Sequence, residues 1–122
     1  MRFQKIVSWI LALHGAYYAL TGVWALISLE SFNRVVGYVH IGNAFEMHSI
    51  AAMAIALGIV FMIAAKDIKH NKLIVLTASL VALSVVIIEI IYLPGMGWNL
   101  FWLDLIEEIA VAGIFGYYYL ST

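Results

Sequence analysis

The chain contains no cysteine. That excludes disulfides, thiolate metal sites and cysteine nucleophiles, and says nothing about compartment. Charge is almost as scarce. Asp, Glu, Lys and Arg make up 11% of the residues, against about a quarter in a soluble domain. No basic run or cluster suggests nucleic acid, and no nucleic-acid partner is expected. There is no P-loop, no dinucleotide fingerprint and no Ser-His-Asp arrangement. The Glu-x-x-His pairs that a di-metal carboxylate bundle carries on two helices are also missing. The single proline, Pro94, stands beside Gly95 as a breaker pair.

What is present is apolar. Of the 122 residues, 66% are hydrophobic, and the few charges are sequestered between four long runs. Each run approaches or exceeds the ~20 residues that cross a bilayer. The spans are expected at about 6–29, 45–65, 73–93 and 98–120. The reading is one all-α domain over residues 1–122, an integral membrane four-helix bundle running up-down-up-down. Short connections make consecutive helices antiparallel neighbours. A basic start before an apolar run also describes a signal peptide. This run is too long for one and carries His14, Tyr17, Tyr18 and Thr21, so a retained helix is expected. Residues 30–43 are read as a loop, with Ser31 capping a short helix over 32–36 that Gly37 ends. Ala51, Ala52, Ala54, Ala56 and Gly58 make the second span rich in small residues that permit close helix approach.

Lysine and arginine orient the bundle. Arg2, Lys5, Lys66, Lys69 and Lys72 fall on one side and only Arg34 on the other, which puts both termini in the cytoplasm. Trp24, Trp98 and Trp102 then fall toward the outer interface, and Tyr117–Tyr119 toward the inner one.

Depth makes the acids informative. At ~1.5 Å per residue, Asp104 lies about 9 Å inside Trp98, and Glu107 and Glu108 about 14 Å. These three share one helix face. Glu89 is about 8 Å in from Pro94. Glu46 and His48 open the second span, though about 200° apart on a regular helix. Five acids thus converge on the outer half of the bundle. A central charge costs roughly 2.5–3.5 kcal/mol on the insertion scale. Protonated carboxyls, a bound cation or a wet cavity would each resolve it. His14, Tyr17, Tyr18, Thr21 and Ser28 share a sector of the first span facing that region.

The candidate ligand-binding residues are Asp104, Glu107, Glu108, Glu89, His14, Tyr18, Glu46 and His48. His14, Glu89 and Glu107 are the candidates for a single metal ion. No cofactor is identified: haem would need His14 and His48, whose depths differ too much. Each residue also has a plainer reading. The acids could be protonated and only pack, and His14 could bond a neighbouring carboxyl. Glu89 could make a structural interhelix bond, and Glu46 and His48 could mark the interface. His40 and Arg34 read as solvated loop residues with a potential gating role, His70 as part of the basic turn, and the tryptophans as interface anchors.

Residues 13–37, LHGAYYALTGVWALISLESFNRVVG, resemble the opening of small bacterial four-helix membrane proteins of the DoxX-like kind. There a "tGlW" run leads into a "sF..vtG" turn. Residues 87–108, IIEIIYLPGMGWNLFWLDLIEE, resemble their close, with an acid before an aromatic-ended third helix, a Gly turn and an acidic fourth helix. The second helix departs: Tyr38-Val39-His40 stands where that kind has Pro-Lys and then Trp. The resemblance implies the four-helix fold. It also implies an alternative role as a subunit or enzyme of a quinone-linked or lipid-linked redox system. Small multidrug exporters carry an essential acid in the first helix, and here that helix has His14 and no acid.

The expectation is an acidic pocket in the outer half of a bundle in a prokaryotic cytoplasmic membrane. It binds a cation or a small amphipathic, lipid-soluble molecule in a transporter-like unit. Whether the protein is an enzyme stays open. The alternatives are the redox role and a purely structural membrane subunit. Partners are the lipid bilayer and a second copy of the chain, meeting through the Ala/Gly surface of the second span.

Overall fold

The computed structural model describes residues 2–36, 43–95 and 100–122, and every regular element among them is helical. Five α-helices follow in order: α1 (Arg2–Ile27), α2 (Leu29–Val36), α3 (Ala44–Ala64), α4 (Lys72–Tyr92) and α5 (Phe101–Ser121). Short 3-10 turns cover Ala65–Asp67 and Leu93–Gly95. Three helical stretches are long and apolar enough to cross a membrane: Arg2–Ile27, Ala44–Asp67 and Lys72–Tyr92. Their outward faces fit that reading. Trp9, Leu20, Ile63, Leu73 and Ile91 are all more than 60% exposed, and large apolar surface of this kind marks contact with a membrane or another protein.

The boundaries differ from the sequence reading in three places. α1 begins at Arg2, so the basic start is helical. The short helix expected over 32–36 is α2, and Ser31 does not cap it: Phe32 N–H donates to Ser28 O at 3.0 Å, placing the helix start three residues earlier. Ser31 Oγ instead accepts from Trp24 Nε1 at 3.2 Å. Trp24 also stands edge-on to Phe32 at 5.4 Å, so it ties α2 to α1. Gly37, His40 and Trp98 lie outside the described residues, as do the roles expected of them. Finally, α3 opens on a capping box. Asn43 Oδ1 accepts from Glu46 N–H at 2.9 Å, and Glu46 Oε2 accepts from Asn43 N–H at 3.2 Å.

α1 and α3 form the tightest pair, running antiparallel through small residues. Ser8, Gly15 and Gly22 step by seven along α1 and meet Ala65, Gly58 and Ala51 in turn. Ser8 Oγ donates to Ala65 O. A Cβ on Gly15 would sit 2.6 Å from Gly58 O, and one on Gly22 2.6 Å from Ala51 O, so the backbones themselves touch. Lipid offers no hydrophobic drive to pair helices, and close van der Waals packing supplies it. Ala51 and Gly58 are therefore used within the chain. Of the small residues offered to a second copy, Ala52 and Ala56 stay exposed.

α4 packs antiparallel on α5. Ser79 Oγ donates to Ala112 O at 2.8 Å, and Lys72 Nζ lies 5.1 Å above the Tyr119 ring. α1 also meets α5 antiparallel, from Phe3 against Tyr117 at 5.6 Å to the polar contacts described below. Val7, Leu11, Phe61, Val75, Ala78, Ala82 and Phe115 close the core between these pairs without solvent exposure. At the basic end, Asp67 caps the turn. Its Oδ2 lies 2.6 Å from His70 Nδ1, and its Oδ1 accepts His70 N–H at 3.3 Å. The His70 side-chain hydrogen bond holds the Asp67 carboxyl below the usual carboxylate range.

Candidate functional site

The polar residues of α1 and α5 meet along one line of contact. Helical spacing sets both rows: His14, Tyr17, Tyr18 on α1 and Asp104, Glu107, Glu108 on α5 each sit at i, i+3, i+4. Antiparallel packing brings the two rows side by side, and each residue of one row meets one of the other. His14 Nδ1 lies 2.6 Å from Glu107 Oε1. Tyr18 OH donates to Glu108 Oε1 at 2.8 Å. Tyr17 OH donates to Asp104 Oδ1. Each acid of α5 therefore has its own partner on α1. Thr21 makes no bond to α5, since its hydroxyl donates to the Tyr17 carbonyl at 2.8 Å.

Glu89 joins from α4. It is 3% exposed, on the buried face that also carries Ala78 and Ala82. Its carboxyl stands within hydrogen-bond reach of Asp104. Neither of its oxygens receives an N–H or O–H donor from the described residues. A hydrogen bond between two carboxyls needs a proton on one of them, because an ionised carboxylate only accepts.

His14 is buried, at 2% exposure, inside an aromatic cage. Tyr18 is 4.4 Å away, Phe61 stacks at 6.0 Å, and Phe115 meets it edge-on at 6.0 Å. Its Nε2 is buried without a partner, as are Glu107 Oε2 and Glu108 Oε2. One ligand atom from each of His14, Glu107 and Glu108 lies within 4.8 Å of the other two. Imidazole with carboxylates is a donor set suited to zinc and similar divalent ions. The structure thus gathers Glu108 with His14 and Glu107, while Glu89, named with them from the sequence, stands beside Asp104. Glu46 and His48 do not join. Glu46 is exposed and engaged in the α3 capping box, and His48 is half-buried on the same turn.

Two cavities flank this contact line. One, of about 290 Å³, opens beneath α2. Its walls are apolar, with Phe32 and Val36 from α2, Met53 and Leu57 from α3, and Val81 and Val85 from α4. Its polar lining residues are Tyr17, Tyr18, Thr21, Asp104 and Glu108. The other, about 320 Å³, lies between α1 and α5 and reaches His14 and Glu107. Among the described residues no lysine or arginine lines either. Sequence reasoning put Tyr17 on the right face without assigning it to the site. It missed α2 as a wall, although an apolar residue every three to four positions over 29–36 was visible.

No protein-family model, no curated protein and no solved structure matches the chain.

Proposed function

We propose that the chain is a four-helix, up-down-up-down membrane protein whose buried acidic pocket binds a small cation-bearing amphipathic molecule. α5 is the fourth span. It has 21 residues, the length of α4, and its three acids turn toward α1 and α4 rather than to lipid. Both termini face the cytoplasm of a prokaryotic membrane, on the reading of Arg2, Lys5, Lys66, Lys69 and Lys72 as the positive-inside face. The DoxX-like resemblance of residues 13–37 and 87–108 is consistent with this arrangement and is held as part of the proposal.

One observation carries the reading. A cavity of about 290 Å³ is lined by aliphatic and aromatic residues together with Tyr17, Tyr18, Thr21, Asp104 and Glu108, and among the described residues no lysine or arginine lines it. Ligand sites are of this kind, apolar with a few placed polar groups, and this one is at the small end of their range. The apolar walls suit a hydrophobic body. Asp104 and Glu108 suit a cationic head, and Tyr17 and Tyr18 hold the two carboxyls in place. Intramembrane acids facing a cavity mark substrate or ion pathways, which is why a transporter-like role is preferred to a purely structural one.

A second reading has its own observation. The unpartnered Nε2 of His14 and Oε2 atoms of Glu107 and Glu108 favour a bare divalent ion at that cluster.

The test is thermal stability in detergent with three probes: benzyltrimethylammonium, its uncharged carbon isostere and Zn²⁺. At 100 times the dissociation constant a bound ligand stabilises by about 2.7 kcal/mol. The proposal expects that response to benzyltrimethylammonium, not to the isostere, and its loss in Asp104→Asn/Glu108→Gln. Stabilisation by Zn²⁺ alone, lost in His14→Ala, selects the second reading. An equal response to the neutral isostere in wild type and variant sinks both. It would turn attention to a neutral lipid-soluble substrate and the redox alternative.

A further inference from the structure

A third cavity lies at the opposite end of the molecule, about 190 Å³, where the first turns of α1 meet the end of α3. Gln4, Lys5 and Lys66 line it together with the apolar Trp9 and Ile68. Ser8, which also lines it, has its hydroxyl committed to Ala65 O, a bond that ties the two helices together beneath the opening.

The charge balance there is one-sided. Arg2, Lys5, Lys66, Lys69 and Lys72 share this end with one acid, Asp67. Asp67 is held by His70 through both its oxygens. Lys72 lies over the Tyr119 ring. Among the described residues no carboxylate pairs with Lys5 or Lys66. Two unneutralised ammonium groups and an amide therefore share one cavity, a donor set for a phosphate group.

An apolar track leads away from it. Trp9, Leu13 and Leu20 are 72%, 65% and 70% exposed and follow one another up the same face of α1. A free anion has no use for such a track, whereas an acyl chain attached to the phosphate would lie along it. Basic pockets between transmembrane helices on the cytoplasmic side recognise anionic lipid headgroups.

We infer that the Gln4–Lys5–Lys66 cavity is a binding site for the headgroup of an anionic phospholipid, whose acyl chain runs along Trp9, Leu13 and Leu20. The inference rests on the membrane reading but not on the acidic pocket, which lies at the other end of α1. Carbonate-resistant membrane association tests the membrane reading separately.

Native mass spectrometry of the detergent-solubilised protein provides the test, with phosphatidylglycerol and phosphatidylcholine titrated in parallel. Wild type retains one phosphatidylglycerol in preference to phosphatidylcholine. Lys5→Gln/Lys66→Gln binds it roughly 25-fold more weakly, two lysines' worth of surface attraction. Arg2→Gln/Lys69→Gln removes the same charge from exposed positions outside the cavity and leaves the preference in place. Equal loss in both double variants overturns the inference, because the attraction would then come from total charge. Competition by millimolar inorganic phosphate as strong as that by the lipid overturns the lipid assignment. A membrane-embedded chain without headgroup preference overturns the inference alone.

Discussion

The seam between α1 and α3 permits a controlled prediction. Gly15→Ala adds one methyl where the Cβ would lie 2.6 Å from Gly58 O and 3.0 Å from Met62 N. Both are backbone atoms, so no side-chain rotation relieves the contact. A carbon and a carbonyl oxygen need about 3.3 Å, so the helices must part locally by roughly 0.7 Å. Overpacking of this kind costs about 1–3 kcal/mol. A gain opposes it, because alanine is better than glycine in a helix by roughly 1 kcal/mol. Gly113→Ala supplies the control, since a Cβ there meets nothing within 4 Å. It shares the propensity gain and lacks the clash, so the difference between the two variants isolates the clash. Thermal unfolding in detergent, followed by tryptophan fluorescence, reads it. Gly15→Ala should melt below Gly113→Ala by on the order of 5 °C, with Gly113→Ala at or above wild type. If Gly15→Ala melts with or above Gly113→Ala, the backbones are not in contact and the seam does not hold α1 on α3.

Two further outcomes follow from particular contacts. Glu89→Gln should leave the melting temperature at pH 8 at or above wild type, because an amide donates to Asp104 without an added proton. Glu89→Ala should lose about 1–3 kcal/mol by leaving Asp104 short of a buried partner, and a larger loss for Gln than for Ala would contradict the carboxyl pairing. Asp67 has its carboxyl held low by His70, so its contribution to the turn is full above the ordinary carboxylate range. That contribution is lost as pH falls through the lowered value. The protection factor of the His70 amide, which removes the intrinsic pH dependence of exchange, should drop over that fall in wild type and stay constant in Asp67→Asn.

The acidic half of the site was legible because helical periodicity needs no tertiary information. Asp104, Glu107 and Glu108 at i, i+3 and i+4 share a face in any α-helix, and so do His14, Tyr17 and Tyr18. Glu46 was ambiguous for a local reason: an acid three residues after Asn43 serves equally as a pocket ligand or as half of a capping box, and the structure shows the capping box. α2 was missed as a wall because eight residues between two long apolar runs look like a connection until something packs beneath them.

By itself the sequence determined composition, helix and apolar span. Long unbroken apolar runs with the charge sequestered between them fit spanning helices, whereas the strands of a membrane barrel would alternate apolar and polar residues. Only the tertiary structure decided which acid meets which partner. The pairing of Tyr17 with Asp104, Tyr18 with Glu108 and His14 with Glu107 depends on the relative register of α1 and α5. Register is set by packing between helices, here by a glycine seam on one side of α1 and a buried α4 face behind α5. A sequence records each helix's own period but not the offset between two of them.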